Sequence, residues 1–281
     1  MTTEVRARLG QKLAGLFPGD MDKIFFTLGG AEANENALRM ARQVTGRNKV
    51  LARYRSYHGA TYATISLTGD PRRWGNEPSM PGVIHVLDPY HGTDRPVDDA
   101  GTSLRYLEET IELEGPATIA AFILEPVTGT NGILIPPDGY LQGVRELCDP
   151  ARARAALATL VIYEEDGPIE NARRMGEVMR RHHEELLAKH PSVGLVRNIG
   201  LFGVLELVRN RATMEPLAPF NGASEETKAV AAYLDEHGLY TFVRWNHLMT
   251  NPPLCIDEAL LAEGFEIVDA ALEISDRAVT G

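Results

Sequence analysis

Phe25-Phe26-Thr27-Leu28-Gly29-Gly30-Ala31-Glu32-Ala33-Asn34-Glu35-Asn36-Ala37-Leu38-Arg39-Met40-Ala41-Arg42 joins a short apolar run to a helical pattern through two adjacent glycines. Ala37, Leu38, Ala41 and Val44 recur at helical spacing and predict one apolar face. Two residues without Cβ let the backbone come close to a bulky group. The first-turn N–H groups of the helix lack partners, and the helix dipole favours an anion there. The combination outlines a phosphate cradle. A glycine turn before a helix also serves plain packing, so the three residues Gly29, Gly30 and Ala31 gain weight only from the longer string around them.

That string, Gly-Gly-Ala-Glu-Ala-Asn-Glu-x-Ala-x-x-x-Ala-Arg, resembles the phosphate-binding turn of the class III (omega) aminotransferases, which use pyridoxal phosphate (PLP). The family commonly has Ser at the position of Gly29, so one hydroxyl donor is absent. The resemblance implies an α/β protein of the PLP-dependent transferase fold (fold type I, aspartate aminotransferase-like). Its large domain is expected over residues 1–190, and a small α+β C-terminal domain over 191–281.

Outward from the turn, residues 4–16 predict an amphipathic helix and Ile24–Leu28 a short strand. The helix begun at Ala31 is expected to stop near Gly46. Lys49–Tyr54 predicts the next strand. After it, Arg55-Ser56-Tyr57-His58-Gly59 resembles the family's Tyr-His-Gly loop. By that resemblance Tyr57 lies against the cofactor ring and His58 helps orient the site. A half-exposed loop aromatic and a hydrogen-bonded loop histidine are the competing readings. Val83–Leu87 predicts a strand, and Ser103 caps a helix to about Glu114. Ala117–Leu124, almost wholly apolar, suits a strand covered on both faces. It ends in Glu125-Pro126-Val127, matching a family motif, and strand-end carboxylates in parallel sheets face the ligand crevice. Glu125 is thus a candidate for the groups around the PLP hydroxyl, with a solvated charge as the alternative. Residues 138–149 predict a helix.

At Asp149-Pro150 the resemblance breaks. The family continues with a strand ending in Asp-Glu-Val, whose Asp pairs with the pyridine nitrogen, and later with the lysine that forms the Schiff base. Here Ala151–Leu160 follows at once and resembles a family helix from well beyond that lysine, so a central block is expected to be deleted. The five lysines are Lys12, Lys23, Lys49, Lys189 and Lys228. Lys12, Lys189 and Lys228 sit in amphipathic helix patterns, and Lys23 and Lys49 at strand starts, away from the carboxyl edge where ligands bind. No catalytic residue is therefore assigned.

Two helices flank Gly167-Pro168, and the second carries His182 and His183 on its polar side. Strands are expected at Gly194–Asn198, Phe202–Val208, Leu239–Val243 and Leu248–Thr250, with helices at Ser224–His237 and Asp257–Ala278. Arg244 resembles the residue position that borders substrate and is a candidate grip for a carboxylate. An exposed strand charge is the competing reading.

The net charge of −11 without a basic cluster argues against nucleic acid and anionic membranes as partners. Cys148 and Cys255 lack metal-ligand spacing, and no metal site is expected. The N-terminal residues lack the apolar core of a signal peptide, which points to the cytoplasm. Two functional expectations stand. One is transfer of an amino group from an amine or omega-amino acid to a keto acid such as pyruvate, impaired in this chain by the missing Lys and Asp. The other is a shortened, non-catalytic binding or partner subunit. The family resemblance implies a homodimer.

Overall fold

The computed structural model describes residues 3–15, 23–91, 95–96, 100–148 and 168–280. The chain divides into two compact units, Met1–Val161 and Ile162–Gly281.

In the first unit the elements run α1 (Glu4–Ala14), α2 (Gly30–Thr45), β1 (Lys49–Arg53), α3 (Tyr62–Leu67), β2 (Val83–Val86), β3 (Tyr90–His91), β4 (Arg95–Pro96), α4 (Ala100–Glu114), β5 (Ile119–Ile123) and α5 (Tyr140–Cys148). Three strands form a parallel sheet in the order β2-β1-β5. The two-residue alternation of β1 sorts its side chains onto two cores. Val50 and Ala52 pack with Leu38 and Ala41 of α2, Ala63 and Leu67 of α3, and Ala120 and Ala121 of β5. Leu51 packs on the other face with Leu107 and Ile111 of α4 and Tyr140 and Val144 of α5. Helices on both faces of a parallel sheet make a doubly wound layer, whose strand carboxyl ends open onto a ligand crevice.

The second unit holds α6 (Pro168–Lys189), β6 (Val193–Ile199), β7 (Phe202–Asn210), β8 (Glu215–Pro216), α7 (Glu225–Glu236), β9 (Val243–Arg244), β10 (His247–Thr250) and α8 (Glu258–Asp276). Its sheet runs β6-β7-β10-β9, with β8 on β7, all antiparallel. Met175 and Met179 of α6, Leu205 and Leu207 of β7, and Phe265 and Leu272 of α8 meet in one core. Ser224 caps α7 by accepting from Thr227 N at 3.2 Å, and Asp257 caps α8 by accepting from Leu260 N at 2.9 Å.

Several expectations change. Residues 24–28 form no strand; Leu28 is 94% exposed, since the described residues offer this run no sheet partner. Val44 lies outside the buried face of α2 at 83% exposed. Ser103 falls inside α4, which starts at Ala100. Of the expected 239–243 strand only Val243 pairs, in the two-residue β9 that ends at Arg244. His183 is fully buried rather than on a polar face, packed edge-on to Phe265 and 2.9 Å from Thr250 Oγ1. Because α6 supplies core residues to the second unit, the division between units comes before it, earlier than residue 190. The helix expected at 151–160 and the 149–150 junction lie outside the described residues.

Candidate functional site

The crevice is assembled from segments that leave the carboxyl ends of β1, β2 and β5: the 54–61 loop, Asp88, and Glu125 with its following turn. The start of α2 joins them. Asn34 of α2 donates to His58 O at 2.7 Å, and Glu35 accepts from Thr61 Oγ1 at 2.5 Å and from Ala63 N at 3.0 Å. Gly59 permits this approach. Its φ is +132°, and a Cβ there would lie 2.7 Å from Ala31 Cβ.

Gly29 is the N-cap of α2 and supplies no side-chain cap. A Cβ on Gly29 or Gly30 would meet nothing within 4 Å, so the space beside the helix start is open. Glu32 folds back to accept from Leu28 N at 2.9 Å. Ala31, next in the turn, is half-buried.

Glu125 acts as a buckle between two loops. Its Oε1 accepts from Tyr57 N at 3.0 Å and its Oε2 from Gly129 N at 2.9 Å. Below it, the fully buried Arg53 donates to Glu125 O and to Thr128 Oγ1 at 3.0 Å, and its Nε stands 3.7 Å from Asp88 Oδ1. Asp88 Oδ2 accepts from Arg55 N at 3.0 Å. Burial pushes the Asp88 carboxyl above its usual range, outweighing the Arg53 charge. His58 is pushed down to about 4, first by burial, then by the charges of Arg53 and His85. Its Nε2 has no hydrogen-bond partner. His58 is thus held neutral beneath the loop, and its backbone N donates to Thr68 Oγ1 at 3.0 Å.

Tyr57 is 39% exposed, and the Arg72 guanidinium lies 3.7 Å over its ring. Asp70, nearly buried, anchors Arg72, which also reaches Thr130 Oγ1 at 3.2 Å. Burial alone raises the Asp70 carboxyl; hydrogen bonds from Arg72 and then Asn131 outweigh it and leave the group below its ordinary value. One face of the aromatic ring expected to meet a cofactor therefore already carries a cation.

Sequence reasoning missed Arg53, Asp88, Asp70 and Arg72. Asp88 had the same signal as Glu125, a carboxylate just past a buried strand. Arg244 lies in the second unit, on β9, with its guanidinium 4.3 Å over the Trp245 ring.

The family model for class III aminotransferases matches residues 1–153 and 149–272. Taurine–pyruvate aminotransferase of Bilophila wadsworthia is 29% identical over 301 aligned positions, which take in 75% of this chain and 66% of that protein. Putrescine–pyruvate aminotransferase of Pseudomonas aeruginosa is 25% identical over 362 positions, taking in 96% of this chain and 77% of that protein. Both alignments are longer than the chain itself, so each relative carries a long block without counterpart here. The structure of taurine:2-oxoglutarate aminotransferase from Bifidobacterium kashiwanohense, in complex with PLP and glutamate, is 28% identical. Its TM-score is 0.90 over 100% of this chain and 81% of that one. The fold is that of the fold type I PLP-dependent transferases. The chain belongs to the class III aminotransferase family. It spans about two thirds of the Bilophila relative's length.

The residues present fit part of such a cofactor. The open start of α2 suits a phosphate. The covalent and electron-withdrawing partners do not fit: Lys49 is bound to Glu114 at 2.8 Å at the amino end of β1. Lys189 pairs with Asp269, and Lys228 with Glu225, in the second unit. Lys12 lies on α1, and Lys23 precedes α2. The strand-end carboxylates Asp88 and Glu125 are engaged by Arg53, Arg55 N, Tyr57 N and Gly129 N. Among the described residues no cluster of His, Cys, Asp or Glu could hold a metal, and no helix is long and apolar enough to cross a membrane.

Proposed function

We propose that this chain is a class III aminotransferase homologue that seats PLP without a covalent bond and does not transfer amino groups by itself. The observation that carries the reading is the combination of an open helix start at Gly29-Gly30 with the engagement of Lys49 by Glu114 at the amino end of β1, of Lys189 by Asp269 and of Lys228 by Glu225. Gly29, Gly30 and Ala31 bind the phosphate through backbone N–H groups. Tyr57 shields the ring, Glu125 fixes the Tyr57 loop, and His58 keeps that loop's underside dry and uncharged. Arg244 is the proposed contact for a substrate carboxylate. PLP, where it is held by an amine and an acid, supplies an electron sink for amino transfer. Loss of the proton-moving base alone costs about 10²–10⁴-fold in rate.

The relatives' names motivate the substrate class: an amine such as taurine or putrescine as donor and pyruvate or 2-oxoglutarate as acceptor. A cytoplasmic homodimer belongs to the same proposal. The deciding assay is alanine formation from pyruvate with taurine or putrescine and added PLP. No alanine above the enzyme-free blank is expected. Sustained turnover at rates usual for aminotransferases overturns the proposal and makes the chain an active enzyme.

A further inference from the structure

Arg72 has no part in the function proposed above, yet it stands at the same crevice. It lies in the 3₁₀ turn Pro71–Asn76, which Asp70 caps by accepting from Arg72 N at 2.9 Å. The same carboxylate, nearly buried, holds one edge of the guanidinium. Nε stands 3.0 Å from Oδ1 and 2.9 Å from Oδ2, and Nη2 also donates to Oδ2. Nη2 reaches Thr130 Oγ1 at 3.2 Å as well, and the guanidinium carbon sits 3.7 Å over the Tyr57 ring. Arg72 therefore touches both loops that Glu125 joins through Tyr57 N and Gly129 N. One edge is left over. Among the described residues Nη1 has no hydrogen-bond partner, and the side chain is 36% exposed. Arg53 offers no such edge to a ligand, because it is fully buried.

We infer that Arg72 is a specificity-determining residue of the crevice, whose open Nη1 edge takes the acidic tail of an amine ligand, a sulfonate or carboxylate, and disfavours a diamine. The inference deepens the proposed function and rests on its placing of ligands beside Tyr57. Asp70 and the Tyr57 ring fix the fork in one orientation, so little side-chain freedom remains to be lost when a ligand oxygen arrives. Asp70 offsets part of the charge, and selection then follows hydrogen-bond type as well as sign. A sulfonate or carboxylate oxygen accepts from Nη1, whereas the second ammonium of a diamine has only donors to set against donors. Leaving either group unmatched in this way is what separates related ligands. The contact is distinct from Arg244, which belongs to the other unit.

Phenylglyoxal modification of the full chain, mapped by mass spectrometry, reads the contact without any substitution. Arg173, 71% exposed in the second unit, is the internal control. Taurine or β-alanine should slow modification of Arg72 at least fivefold relative to Arg173, in runs with and without PLP. Putrescine and inorganic phosphate should not. No slowing by either acid-tailed amine in either run, or equal slowing by putrescine or phosphate, overturns the inference. Arg72→Gln should raise the taurine dissociation constant at least tenfold in equilibrium dialysis, the scale of one charge-assisted hydrogen bond, and leave that of putrescine the same or lower. A folded variant that weakens both amines equally, or neither, also overturns it. Where the variant lacks a native circular dichroism spectrum, the protection pattern of the unsubstituted chain decides alone. Alanine formation from pyruvate would overturn the non-catalytic reading and leave this result standing, because the labelling reads one arginine and no turnover.

Discussion

Replacing His58 by Gln should remove a defined share of the acid sensitivity of the first unit. His58 is 6% exposed, and burial followed by the Arg53 and His85 charges lowers its pKa from 6.5 to about 4. A lowered pKa means the unfolded chain takes up the proton first. The stability contributed by neutral His58 is fully present above pH 6.5 and is lost as pH falls from there towards 4. With those two values, the loss between pH 8 and pH 5 is about 2 kcal/mol. Glutamine keeps a polar side chain there but does not titrate. Urea titrations at pH 8 and pH 5, read by hydrogen-exchange mass spectrometry on peptides covering 49–53 and 119–123, give the stability of the first unit directly. The difference between the two pH values should shrink by about 2 kcal/mol in His58→Gln. His183, lowered to about 4 in the same way, should leave the 193–210 peptides equally acid-sensitive in both proteins. An unchanged pH difference in the first unit would refute the placing of a buried, neutral His58.

Three further substitutions test the crevice. In Gly30→Glu the new Cβ meets no atom within 4 Å, so the melting temperature should be unchanged, yet PLP binding in equilibrium dialysis should weaken at least tenfold, because the substitution puts an anion at the proposed phosphate seat. Arg53→Met strands the buried Asp88 carboxylate and should cost about 3–5 kcal/mol in urea unfolding. In Gly69→Ala the new Cβ would fall 2.2 Å from Arg53 O and 2.3 Å from Tyr54 O, and chemical denaturation should show a loss of about 1–3 kcal/mol.

The glycine turn and α2 were legible because the signals were local. Helical spacing placed Leu38 and Ala41 inward, and Gly46 ended the helix. The run 117–124 was legible for the same reason, being apolar on both faces over a strand's length. What escaped was set by distant partners. Arg53 closes β1 with no motif around it, yet it is fully buried because Glu125 O, Thr128 and Asp88 converge on it from 35 to 75 residues away. His183 followed a polar helix pattern, and only the placement of Phe265 and Thr250 brings it into the core. The Arg72 guanidinium over Tyr57 joins residues on separate segments with no motif between them. Residues 24–28 had a strand's composition, but composition supplies no neighbour to pair with.

Incubating the full chain with PLP, reducing with borohydride and mapping the lysines by mass spectrometry tests the proposed function most directly. A phosphate seat lacking an amine predicts no stoichiometric pyridoxyl adduct on any single one of the five lysines. One lysine carrying the adduct at full occupancy would contradict it.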